Sequence, residues 1–122
     1  MKIIFDETRP IYLQIMEEIK REIARGNLKR GEKLPSVRDL AKEVEVNPNT
    51  VARAYLELER EGVLVSRRGQ GTFVTEDEKM IKSIRSELKN EIIERAVKEL
   101  KSLGFSAGEI KRFIEKSLEE NS

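Results

Sequence analysis

Neither cysteine nor histidine occurs anywhere in the 122 residues. Without cysteine there is no disulfide framework and no thiolate metal site. Without histidine the chain lacks the commonest general base and the commonest zinc ligand. No Gly-rich phosphate loop opens a helix after a strand. An enzyme, a resident metal and a cofactor are therefore all unexpected. No apolar run approaches membrane-spanning length, and the opening MKIIFDETRP has acidic residues where a signal peptide needs an unbroken apolar stretch. The expectation is a cytoplasmic protein with no membrane partner. An excess of charge is also missing. Lys and Arg number 24 against 23 Asp and Glu, a net charge of +1, and division at Thr75 leaves only a slightly basic first part and a slightly acidic second. Any electrostatic function must come from local clustering.

What is present is helical periodicity with clear punctuation. Pro10 suits a first helical position and Gly26 a stop, with Tyr12, Ile15, Ile19 and Ile23 on one face between them. LKRGEKLPS then breaks the period, with Leu28 and Leu34 as anchors. Ser36 followed by Asp39 signals an N-cap, and Leu40, Ala41 and Val44 point inward. Soon afterwards Asn47 and Pro48 announce another helix, with Val51, Tyr55 and Leu58 as its apolar stripe and Gly62 as its end. Two short helices joined so briefly must cross steeply, which is the helix-turn-helix pattern.

After Gly62, VLVSRR and TFV are β-prone runs joined through Gly69-Gln70-Gly71, a hairpin. The remainder reads as two helices. Thr75 with Glu78 predicts a capping box for a long one, whose stripe runs through Ile81, Ile84, Leu88, Ile92, Ala96, Leu100 and Leu103 to Gly104. Ser106 with Glu109 predicts another box, with Phe105 and Ile110 as a hydrophobic staple and Ile110, Phe113, Ile114 and Leu118 on one face.

The inward stripe of the second helix of the pair leaves Asn47, Asn49, Thr50 and Arg53 on or near its opposite side. Such side chains read base edges or hold phosphates, and a helix N-terminus adds free N–H groups. Asn47 alone is better explained as a cap. Arg38 stands in the first turn of the preceding helix, where a cation opposes the macrodipole; a phosphate partner, or a neighbouring carboxylate, would account for it. Arg67, Arg68 and Gln70 crowd a glycine-rich hairpin tip suited to a minor groove or its phosphates. Strand alternation sends the two arginines to opposite faces, and Arg68, next to Gly69, is the one expected at the groove. A solvated turn guarding a short sheet edge is the competing explanation.

The run GEKLPSVRDLAKEVEVNPNTVARAYLELEREGVLVSRRGQGTFV resembles the winged helix-turn-helix of the GntR family of bacterial transcription regulators. LPSVRDLA, NPNTVARAY, LEREG and RRGQGTFV each follow that family's pattern, and the two-helix tail resembles its YtrA subfamily. The resemblance implies DNA contacts at Arg38, Asn49, Thr50, Arg53 and Gly69. It also implies dimerisation through the tail, no large effector domain, and regulation of operons that often encode transporters. Two departures stand out. Glu45 occupies a turn position where many such units have glycine, and neither Pro48 nor Ala52 is the arginine that some branches carry nearby.

The fold class expected is mainly α with a small β-hairpin wing. A winged helix-turn-helix over residues 1–75 precedes a helical dimerisation tail over 76–122. The expected function is a homodimeric repressor on double-stranded DNA, reading an inverted-repeat operator. Ile84, Leu88, Ile92, Leu100, Phe113 and Ile114 are expected to meet a partner copy. No cofactor is expected, and the tail alone is too short to enclose an effector. The rival is a winged helix serving as a protein–protein or RNA-binding module.

Overall fold

The structure is a computed structural model describing residues Met1–Ser122. In chain order the elements are α1 (Ile11–Arg25), α2 (Val37–Val44), α3 (Pro48–Arg60), β1 (Leu64–Arg67), β2 (Gly71–Val74), α4 (Glu78–Ser102) and α5 (Ala107–Glu120). They form two compact units, Met1–Arg85 and Ser86–Ser122, so the first unit continues past Thr75 into the opening turns of α4.

In the first unit α3 is the central element, packed against α1, α2 and β1. Ile15, Ile19 and Ile23 of α1 meet a core of Leu40, Ala41 and Val44 from α2 and Val51, Ala54, Tyr55 and Leu58 from α3, with Val63, Leu64 and Val74 completing it. Pro10 stands one place earlier than expected. Its extended backbone (φ −55°, ψ 132°) makes it the residue before the first turn, and Gly26 ends α1 at φ 84°. Gln14, buried on α1, ties down the segment before the helix. Its Nε2 donates to the carbonyls of Asp6 (2.7 Å) and Arg9 (3.0 Å), and its Oε1 accepts from the Asp6 N–H (2.8 Å). A buried amide so fully paired costs nothing in lost hydrogen bonds.

The helix-turn-helix is held by short-range caps and one long-range bond. Ser36 Oγ accepts from the Asp39 N–H, and Asn47 Oδ1 accepts from the Asn49 N–H at 2.8 Å. The buried Tyr55 hydroxyl donates to the Pro35 carbonyl at 2.7 Å, fastening α3 to the entry of α2. Burial, with Glu43 nearby, pushes that phenol well above its ordinary value. Between the helices Glu45 takes the left-handed conformation (φ 58°, ψ 50°), the one non-glycine residue to do so. This conformation costs a residue with a Cβ about 1 kcal/mol. Glu45→Gly is therefore expected to raise stability by up to about 1 kcal/mol, the added freedom of the unfolded chain offsetting part of the gain. Urea denaturation of both proteins measures it, and a lower midpoint for the glycine variant would contradict it.

The wing pairs Leu64 with Val74 and Arg67 with Gly71, leaving residues 68–70 as the loop. Gly71 thus belongs to β2 rather than to the turn, at φ 120°. The other edge of β2 is covered by residues 31–34. Leu34 N–H donates to Thr72 O and Val74 N–H to Glu32 O, both at 2.8 Å, and Lys33 bridges Phe73.

The capping box expected of Thr75 and Glu78 does not form. Thr75 N–H is committed to Val63 O at 2.9 Å, which holds Thr75 in register with the wing. Asp77 caps α4 instead, its Oδ1 accepting from Lys79 N–H at 2.9 Å, while Glu78 pairs with Arg30. In the second unit the Ser106–Glu109 box is complete, and Phe105 meets Phe113 edge-on with ring centroids 5.0 Å apart. Ile110 is buried, whereas Ile92, Phe113, Ile114 and Leu118 are exposed.

Ile84 departs from its expected place at a partner. It lies in the first unit and is only 4% exposed, already covered within its own subunit. The spacing of the stripe allows this. Steps of four residues advance about 40° beyond a full turn, so Ile84 and Leu100 are turned by about 160° around the helix. One stripe in the sequence becomes two differently directed faces.

Candidate nucleic-acid interface

With Val51, Ala54, Tyr55 and Leu58 buried, α3 turns Asn49 and Arg53 outward and leaves Thr50 half-exposed. Asn47 is exposed, its Oδ1 accepting one hydrogen bond as the cap and its amide nitrogen making none. The Arg53 guanidinium lies over the Tyr12 ring of α1, 3.8 Å from its centroid. An arginine so stacked loses less freedom on binding than one free in solvent. Arg38 is exposed in the first turn of α2 and has no carboxylate within ion-pair distance.

At the wing the two adjacent arginines take different places. Arg67 lies back along the hairpin, its guanidinium 4.7 Å from the Phe73 ring centroid. Arg68, Gly69 and Gln70 form the exposed tip, closed by a hydrogen bond from Gln70 N–H to Arg67 O at 2.9 Å. Gly69 has φ 75°, and nothing lies within 4 Å of where a Cβ would be, so the tip stands clear. The Ser66 hydroxyl of β1 donates to Glu59 of α3 at 2.5 Å, tying the base of the wing to the far end of that helix, away from Asn49 and Arg53. Lys33, read in the sequence only as part of a loop, also belongs to the wing by its bridge to Phe73. The available signal was its position just before Leu34, an anchor that had to face the core.

Some cations of the chain are paired and those at the candidate interface are not. Arg9, Lys20, Arg25, Arg30 and Arg60 are each paired with a glutamate, to Glu17, Glu61, Glu22, Glu78 and Glu57 respectively. Lys33, Arg38, Arg53, Arg67 and Arg68 pair with none. A molecule almost neutral overall thus presents cations without an ion-pair partner on α2, α3 and the wing. No helix is long and apolar enough to cross a membrane.

Two packed helices joined by a short turn with a polar outward face on the second, followed by a hairpin with a cationic tip, define a winged helix-turn-helix of the DNA-binding kind. Residues 11–74 match the family described as bacterial regulatory proteins, gntR family, and the chain belongs to that family. Over 115 residues it is 44% identical to the HTH-type transcriptional regulator YhcF of Bacillus subtilis (strain 168), covering 91% of this chain and 95% of that one. The HTH-type transcriptional repressor YtrA of the same organism is 51% identical over 70 residues, 57% of this chain and 54% of its own. Among solved structures, a GntR family transcriptional regulator from Listeria monocytogenes superposes with a TM-score of 0.86 at 38% identity, covering 92% of this chain and 98% of that one. The DNA-binding domain of AraR in complex with operator ORX1 superposes with a TM-score of 0.55 at 30% identity, covering 62% and 95%. The family is regulatory rather than enzymatic, and this chain is an HTH-type transcriptional regulator.

Proposed function

We propose that this regulator is a homodimeric repressor that binds an inverted-repeat operator, with α3 in the major groove and the wing tip at the flanking minor groove. The observation that carries it is the placement of Arg38, Arg53 and Arg68, exposed and without a carboxylate partner, on α2, α3 and the wing tip of a winged helix-turn-helix. Arg38 then holds a phosphate at the entry of α2. Asn49, Thr50 and Arg53 read or flank base edges, with Asn47 capping α3 beside them. The YtrA repressor and the operator-bound AraR domain support the same reading by likeness. Residues 76–122 supply the dimer contact through Leu88, Ile92, Leu100, Phe113 and Ile114, and two-fold symmetry implies half-sites about 34 Å apart or a multiple of it.

Footprinting upstream of the protein's own gene identifies the operator, and a binding titration at several salt concentrations then tests the wing. Arg68→Ala is expected to fold and dimerise normally, to bind less tightly, and to lower the salt slope by about one unit. Wild-type affinity and slope for Arg68→Ala would mean the tip does not touch DNA.

A further inference from the structure

One face of the wing carries two cations that reach it from opposite edges. Lys33 bridges Phe73 from the segment before α2, while Val65 pairs with Phe73 and Arg67 with Gly71 from β1. Residues directly opposite in antiparallel strands share a face, as do positions two apart along one strand. Lys33, Val65, Arg67, Gly71 and Phe73 therefore share one face. The side chains behave accordingly. The Arg67 guanidinium lies over Phe73, and the stem of Lys33 crosses Gly71 so closely that a Cβ there would be 2.8 Å from Lys33 Cε and 3.6 Å from Nζ. Glycine at 71 thus serves two needs, the positive φ of 120° and the path of the lysine.

Both cations are exposed and neither pairs with a carboxylate. Two like charges on one small surface repel when nothing lies between them, and an anion turns that repulsion into attraction. The anion must be one that approaches the wing beside its tip. We infer that Lys33 and Arg67 together hold one phosphate of the duplex backbone on this face, next to the groove contact of Arg68. The inference rests on the DNA-binding reading above and adds to it a residue and a division of labour. Arg67, stacked on Phe73, presents a preoriented fork to the phosphate. Lys33, its stem laid along Gly71, brings the second charge from the far edge of β2.

Fluorescence anisotropy of the full chain with a random-sequence duplex and with the footprinted operator, across a salt series, tests this. Lys33→Gln is expected to weaken both complexes by the same factor, and Lys33→Arg to restore them. Combined with Arg67→Gln it should lower the salt slope by about one unit in total, because the two residues share one phosphate. Circular dichroism checks that the variants remain folded. Wild-type affinity and slope for Lys33→Gln would overturn the clamp, as would a loss confined to the operator or a double-variant loss of about two units. A wild-type chain that bound neither duplex would overturn the DNA reading and the clamp together. Wild-type binding with an indifferent Lys33 would overturn the clamp alone.

Discussion

Changing Ile92 and Ile114 together to aspartate is expected to yield a folded monomer whose affinity for the operator falls by about 10²–10⁴-fold. Ile92 on α4 is 50% exposed and Ile114 on α5 is 44% exposed, Ile93 and Leu118 lie bare on the same two helices, and Leu103 lies bare in the turn between them. So much exposed aliphatic surface on a short segment marks a contact with another protein, and a second copy meets the symmetry of an inverted repeat. Neither residue belongs to the core of the first unit, so each can be changed without opening it. An aspartate buried in the contact would be unpaired, which strongly opposes association. The loss on DNA follows from valency, since two linked half-site contacts become two independent ones. Sedimentation at micromolar concentration and operator titration of the same sample provide the test. A double variant that still sedimented as a dimer would place the contact elsewhere.

The parts of the fold legible in the sequence were those settled by chemistry within a few residues. Ser36 with the Asp39 N–H, Asn47 with Pro48, Gly62 after α3, and Ser106 with Glu109 each satisfy a helix end from a neighbour close in sequence. At Glu45 the sequence showed only a residue other than glycine where many such turns have one; that the turn keeps positive φ there, at 58°, is visible in the structure alone. Alternation predicted separate places for Arg67 and Arg68; in the structure Arg67 ends β1 and lies along the hairpin while Arg68 is in the loop, a division that depended on register with Gly71 and Phe73.

Contacts across long stretches of chain were not legible. Thr75 and Asp77 are both competent caps, and the choice between them was made by Val63, whose carbonyl already held Thr75. Residues 31–34 show no alternation, so nothing local announced that they would flank β2. Spacing alone could not divide the α4 stripe into an inner and an outer part. Ile84 and Ile92 look equivalent in the sequence, and only packing of the opening turns of α4 within the first unit separates them. Which cations find a carboxylate also depends on distant glutamates, such as Glu61 for Lys20 and Glu78 for Arg30.

Arg53→Ala is expected to cost about 1–3 kcal/mol of binding on the operator and much less on a random duplex. Arg53 stands on the outward side of α3, one turn beyond Asn49, and the nearby Tyr12 ring fixes its guanidinium before any DNA arrives. The stacking is worth about 0.5–1 kcal/mol at an exposed site, so the alanine variant keeps its fold and a binding loss is not an unfolding artefact. Tyr12→Leu should reproduce part of the operator loss, because it releases the guanidinium without removing it. Arg53→Lys should not restore binding, since an ammonium lacks the planar fork that matches a base edge. Asn49→Ala, which removes a side chain with no partner of its own in the free protein, should show the same preference for operator over random duplex. Titrations of all four variants on both duplexes at one salt concentration decide the matter. Equal losses on the two duplexes would mean that α3 only grips phosphates, and that the operator is read elsewhere.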